Sequence, residues 1–122
     1  MKKFMAVYTG TAETLEKSGW KTMDEKTRRE REQAGMQAWM QWGESIPRRG
    51  AKALDIGGPL GKTKRVSPQG ISDTSNNMAG YVILEAESHE AAAKLFENHP
   101  HFSIFPGEAV EIMEILPIPV QR

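Results

Sequence analysis

The sequence contains no cysteine. That excludes disulfide staples, thiolate metal sites and a cysteine nucleophile, and leaves packing alone to hold the core. It also lacks a net charge, with 16 Lys/Arg balancing 16 Asp/Glu. A dedicated nucleic-acid binder carries a basic excess, so no nucleic-acid partner is expected. Long apolar runs are missing too. The stretch Met1-Lys2-Lys3-Phe4-Met5-Ala6-Val7-Tyr8 has two lysines but only a five-residue apolar run, against roughly 7–15 residues for a signal-peptide core and roughly 18–20 for a membrane span. No membrane partner is expected, and the cytoplasm is the default compartment. What is present is ordinary. The chain's 122 residues, 39% apolar, 7% aromatic and 26% charged, suit one globular domain over 1–122.

The zero charge hides an asymmetry. Residues 1–65 carry 14 Lys/Arg against 8 Asp/Glu, and residues 66–122 carry 2 against 8. Either the two halves interleave in one fold and cancel, or opposite charges meet across a chain–chain interface or line a polar cleft.

Periodicity gives the elements. Lys3 to Tyr8 reads as a short strand. A helix follows the Gly19-Trp20 region, with capping-box spacing at Thr22 and Glu25 and a charged first half, Asp24 to Glu32. Its second half carries Met36, Trp39, Met40 and Gly43, an amphipathic stripe at i, i+3, i+4 and i+7. Pro47 stops it. Ala53 to Ile56 is a second strand and Lys64 to Val66 a third, joined by Gly57-Gly58-Pro59-Leu60-Gly61. Ser67 to Asn77, rich in Ser, Gly, Asn, Asp and Pro, reads as a loose tract. Ala79 to Ala86 is the clearest strand. Ser88 then caps a helix over Glu90 to Asn98, on which Ala92, Leu95, Phe96 and His99 share a face before Pro100 ends it. Val110 to Leu116 is the last strand.

The order β-α-β-β-α-β predicts an α+β, ferredoxin-like split βαβ, with an antiparallel sheet and both helices on one face. The other face is then open. Tyr81 and Ile83 on one side of their strand and Val82 and Leu84 on the other are all apolar. A sheet buried on both faces in so short a chain predicts a homodimer.

Few motifs carry chemistry. Gly57 to Thr63 ends in Gly-Lys-Thr, but the first glycine of a phosphate loop falls on Ile56, and Arg65-Val66-Ser67-Pro68 is strand-like where a helix should follow. His99 and His101 flank Pro100; two imidazoles do not make a metal site, and no metal is expected. At a helix end His99 favours the negative end of the dipole, and its place on the apolar face also lets it line a cavity. Trp39 and Trp42, with Met36 and Met40 beside them, form either core or the aromatic wall of a pocket. Asp55, in the apolar strand Ala53-Leu54-Asp55-Ile56, is either on the solvent side or partly buried and suited to acid–base work.

The pattern resembles the YCII-related family, close to its DGPF-type branch. The match rests on Trp39 and Trp42, Leu54-Asp55-Ile56-Gly57-Gly58-Pro59-Leu60, Gly80-Tyr81-Val82-Ile83, Glu85-Ala86, Ser88 with Glu90-Ala91-Ala92, Pro100, Gly107, Val110-Glu111-Ile112 and Pro117. It spans roughly 36–117, with Phe4 to Tyr8 matching more loosely. The resemblance implies a ferredoxin-like fold that pairs as a dimeric α+β barrel. In the better-studied branch it also implies a His–Asp pair, the His on the first helix and the Asp before a Pro after the second. That pair is not reproduced. The first helix offers Gln37 and Gln41, His99 stands before Pro100, and Gly70-Ile71-Ser72-Asp73 occupies the region of the DGPF tetrapeptide.

Two functional readings follow. One is a homodimer that binds a small molecule in a cleft between helices and sheet, with Trp39, Trp42, Met36, Tyr81 and His101 as ligand contacts and no cofactor. The other is a small enzyme with His99 as proton carrier and Asp55 as its partner. By analogy with related dimeric barrels, which include cofactor-free and haem-using oxygenases, its chemistry is of oxidoreductase or monooxygenase type.

Overall fold

The structure, a computed structural model, describes residues 1–119. The last three residues of the single domain expected over 1–122 lie outside the described residues. In chain order the elements are β1 (Lys2–Thr9), α1 (Ala12–Ser18), α2 (Glu25–Ser45), β2 (Lys52–Pro59), β3 (Thr63–Ser67), β4 (Gly70–Thr74), β5 (Met78–Ala86), α3 (His89–Lys94), α4 (Pro100–Ser103) and β6 (Ala109–Glu114). Four strands form one sheet in the order β2-β5-β1-β6, with every neighbouring pair antiparallel. This is the expected ferredoxin-like α+β architecture. Among the described residues no helix is long and apolar enough to cross a membrane.

Register assigns the faces. Phe4 pairs with Leu84 and Ala6 with Val82, so alternation sends Phe4, Ala6, Tyr8, Val82, Leu84 and Ala86 to one side. These pack with Trp42 and Ile46 of the first long helix region and with Ala92, Leu95 and Phe96 of the second. Both helices therefore cover the same face. The opposite face presents Met5, Val7, Ile83 and Met113, paired through Met5 with Ile83 and Met113. Met113 is 44% exposed there.

Several elements depart from the sequence reading. The long helix is capped by Asp24, whose carboxylate accepts the Thr27 N–H at 2.7 Å, and not by Thr22, whose hydroxyl donates to Gly19 O. The buried positions of α2 and its C-cap are Gly35, Trp42 and Ile46, with Trp39 half-buried, while Met36 and Met40 are 57% and 63% exposed. The inward stripe is thus 35-39-42-46. A face that includes both tryptophans must be rotated by one residue from the Met36-Met40-Gly43 row, and the larger apolar area of the two indoles decides the rotation.

The tract after Ser67 is not loose. Ser67 to Gly70 turns the chain, with Ser67 Oγ accepting the Gln69 N–H and Gly70 at φ 114°, and β4 pairs back on β3 from Val66↔Ile71 to Thr63↔Thr74. Pro68 and Gly70 supply the turn. The third strand therefore belongs to a separate two-stranded hairpin and not to the main sheet. With a strand following Lys62 in place of a helix, the Gly-Lys-Thr run has no phosphate-loop geometry.

The second helical region is also broken. It stops at Lys94, and Asn98 adopts φ 57°. Residue His99 precedes Pro100, which forces it out of the helical conformation to φ −61°, ψ 145°. Pro100 opens a new one-turn helix instead of merely ending the old one.

Candidate functional site

A cavity of about 330 Å³ lies between α2, the sheet and the segment that follows α3. Met36 and Trp39 line it from the helix, Ile56 to Pro59 from β2, and Gly80 and Tyr81 from β5. Tyr8 enters from the sheet, and His101 and Phe105 close the remaining side. Among the described residues no charged side chain lines it. Trp39 stands at the junction of the site, with its ring centroid 4.9 Å from Tyr8, 4.4 Å from His99 and 5.9 Å from Phe105.

Of the residues expected to bind a ligand, Met36, Trp39, Tyr81 and His101 meet at this cavity. Trp42 lies behind it, 8% exposed, with its indole N–H donating to Leu95 O at 2.5 Å. His99 lies behind it as well, fully buried among Tyr8, Trp39, Trp42 and Phe96. The expected pairing of His99 with Asp55 is not formed. Asp55 pairs across from Ile83, which faces the open side of the sheet, and its carboxylate accepts the Tyr81 hydroxyl at 3.2 Å and the Gly57 N–H at 2.9 Å. The phenol and the bulge at Gly57 hold it on the side of the sheet away from the core. Among the described residues no group of three His, Asp or Glu side chains is placed to hold a metal ion.

The polar heart of the site is Tyr8, His99 and His101. His99 is the N-cap of α4, and its Nδ1 accepts the backbone N–H of His101 at 2.9 Å. A nitrogen that accepts carries no proton, so the neutral ring holds its hydrogen on Nε2. Nε2 lies 3.3 Å from Tyr8 Oη and donates to it. His101 in turn places Nε2 2.7 Å from Thr9 O. A carbonyl only accepts, so the proton of His101 is on Nε2 and its Nδ1 is bare. Gly107 makes room for this ring. A Cβ there would stand 2.4 Å from His101 Cε1, Nε2 and O.

Both imidazoles are neutral at pH 7. Burial, helped by the neighbouring His101, pushes His99 down to about 3. Burial also lowers His101, opposed by the carbonyls of Thr9 and Ala109. The Tyr8 hydroxyl is raised well above the usual phenol range because burial disfavours the phenolate. The site is therefore a neutral aromatic pocket that takes its polarity from hydrogen-bond direction and not from charge.

Sequence reasoning missed Tyr8 and Phe105. Tyr8 had a signal, since alternation from Phe4 and Ala6 puts it on the helix-covered face. Phe105, in an irregular segment between α4 and β6, had none.

No protein-family model matches the chain, and no curated protein sequence matches it. A solved structure does. It is 5-chloro-2-hydroxyhydroquinone dehydrochlorinase from Burkholderia phenoliruptrix AC1100, in complex with 2,5-dihydroxybenzoquinone. The two share 16% identity at a TM-score of 0.51, over 91% of this chain and 90% of that one. At that identity the likeness establishes the α+β fold.

Proposed function

We propose that the chain is a homodimeric, YCII-related protein that binds a small, uncharged ring compound beside Tyr8 and His101. The observation that carries this reading is the cavity itself. It encloses about 330 Å³ of apolar and aromatic wall with no charged side chain, within the range of ligand pockets and small among them. A charged ligand would lose its hydration without gaining a counter-ion. The fold neighbour, itself complexed with a single-ring quinone, fits a ligand of that size.

The dimer is supported by the open sheet face. Met5, Ile83 and Met113 form an apolar strip that a second copy would cover. The hairpin cations Lys62, Lys64 and Arg65 and the acidic Glu108, Glu111 and Glu114 of the last strand region offer opposite charges for such contact.

Thermal-shift assays with benzene, toluene and phenol, paired with light scattering, test the proposal. A ligand at 100 times its Kd raises stability by about 2.7 kcal/mol, and a particle of twice 13.6 kDa is expected. A flat response to all three compounds defeats the binding reading, and a 13.6 kDa particle at micromolar concentration defeats the dimer.

A second reading is proton-transfer catalysis, favoured by the neutral imidazole of His101 in the cavity lining. In it His101 takes the proton, and His99, the carrier expected from the sequence, steers Tyr8 instead. Asp55, engaged by Tyr81, has no part. Replacement His101→Gln is expected to abolish turnover of any bound ring compound while the fold persists; full turnover in that variant removes the reading.

A further inference from the structure

From the chain of hydrogen bonds His101 N–H to His99 Nδ1 and His99 Nε2–H to Tyr8 Oη, we infer that Tyr8 donates a hydrogen bond into the cavity and that the ligand is a neutral ring bearing an acceptor oxygen. This rests on the ligand-binding reading above and deepens it. The argument turns on where one proton goes. Tyr8 Oη makes no other hydrogen bond among the described residues, and the tyrosine is 4% exposed while lining the cavity. Were His99 free to change tautomer, Tyr8 could donate to it and present only lone pairs to the ligand. The backbone N–H of His101 forbids this, because it occupies Nδ1 and fixes the imidazole hydrogen on Nε2. Tyr8 Oη must accept from His99, and its own hydrogen is left without a protein acceptor. A buried donor without a partner is costly, so the hydroxyl turns to the cavity, where a ligand oxygen satisfies it.

His101 sharpens the selection. Its ring centroid lies 5.1 Å from that of Tyr8, and its Nε2–H is committed to Thr9 O. The His101 ring itself lines the cavity, and its Nδ1 is not among buried side-chain atoms left without a partner. Beside the donor of Tyr8 the site thus presents a ring with a lone pair. A carbonyl or ether oxygen on Tyr8 fits; a carboxylate brings a second acceptor and a charge to a neutral pocket. Tyr8 is the binding residue in this scheme, and His99 is a positioning residue that acts through it.

The experiment uses an isosteric pair of probes on the full chain. Acetophenone carries C=O where α-methylstyrene carries C=CH₂, with nearly the same shape. Quenching of tryptophan fluorescence is read for both, and for benzoate at pH 7. Acetophenone is expected to bind about three- to tenfold more tightly than α-methylstyrene, the range for one neutral hydrogen bond, and benzoate not at all. In Tyr8→Phe the preference collapses to near unity while α-methylstyrene still binds. Long-range ¹H–¹⁵N correlation of the unliganded protein reads His99 independently, and the Nε2–H form with a bare Nδ1 is expected. An Nδ1–H form, equal affinity for the two probes, or an acetophenone preference retained in Tyr8→Phe overturns the inference. Binding of neither neutral probe defeats the ligand-binding reading itself and the inference with it, a result distinct from binding without preference. Should Tyr8→Phe fail to fold, the probe pair and the tautomer on the unmodified chain still decide.

Discussion

Lowering the pH from 7 to 4.5 is expected to cost the fold about 2.5 kcal/mol through His99 alone. The sign follows from the direction of the shift. Unfolded, a histidine titrates near its ordinary 6.5; folded and fully buried, His99 is held at about 3. Between those values the unfolded chain binds a proton that the folded chain refuses. Stability is thus fully present above pH 6.5, falls by about 1.4 kcal/mol for each pH unit below it, and levels off near pH 3. His101, lowered by the same burial, adds to the loss in the same sense. The surface ion pairs compete poorly as a cause. Lys17–Glu13, Arg29–Glu25, Lys64–Asp73 and Lys94–Glu90 all join side chains more than 60% exposed, where such pairs contribute little. Urea unfolding at a series of pH values measures the slope, and the His99 ring resonances locate its source. Stability unchanged between pH 7 and 5, or a His99 signal titrating near 6.5, contradicts the assignment.

The second large effect is at Gly57. Its φ is 67°, and a Cβ built on it stands 1.8 Å from Tyr81 O and 2.7 Å from Tyr81 C. Both are backbone atoms of the neighbouring strand and cannot move aside as a side chain would. Gly57→Ala therefore has to break the β2–β5 ladder between Asp55↔Ile83 and Gly58↔Tyr81. A cost of about 2–4 kcal/mol is expected from overpacking and left-handed strain together. Gly58→Ala is the control. Nothing lies within 4 Å of a Cβ there and its φ is not positive, so it is expected to be neutral or stabilising by up to about 1 kcal/mol through the unfolded chain. Denaturant midpoints of the two variants compare them directly; equal midpoints would mean that the bulge does not exist in solution. Because Gly57 and Gly58 both line the cavity, ligand affinity is expected to fall with the first and persist with the second.

The sheet was legible because its strands alternate over a buried face, and Phe4, Ala6 and Tyr8 opposite Leu84 and Val82 leave little freedom of register. The helix stripe was legible in kind but misplaced by one residue, since Met and Trp are both apolar and only relative size separates the Met36 row from the Trp42 row. The first helix, Ala12–Ser18, had its signals in plain view. Thr11 and Thr14 cap it reciprocally and Gly19 ends it at φ 76°, but Thr in place of Glu or Gln at the third position hides the capping box. The hairpin was lost for the opposite reason. Gly70-Ile71-Ser72-Asp73-Thr74 has almost no apolar content, all five residues are exposed, and composition alone reads such a stretch as loop.

The site was half legible. Met36, Trp39, Tyr81 and His101 line one cavity, yet the partnership of His99 with Asp55 does not form, because which side of a strand a lone carboxylate takes depends on a bulge that spacing does not reveal. The constraint that makes His99 informative is likewise invisible in spacing. It comes from Pro100, which expels His99 from the helix and turns its ring back on the His101 amide.

The strand order β2-β5-β1-β6 has a consequence for how the chain comes together. Cut the polypeptide within the β3–β4 hairpin and β1 and β2 fall in one piece, β5 and β6 in the other. Each of the three ladders of the main sheet then joins a strand of the first piece to a strand of the second. No part of that sheet exists in either piece alone, so during synthesis the long helix and its two strands wait unpaired until β5 has emerged. The same arrangement makes the molecule divisible. The pieces 1–65 and 66–122 carry opposite excess charge of six units each, and every interstrand hydrogen bond of the main sheet acts to reunite them, with the exposed hairpin as the place where a nick does least harm.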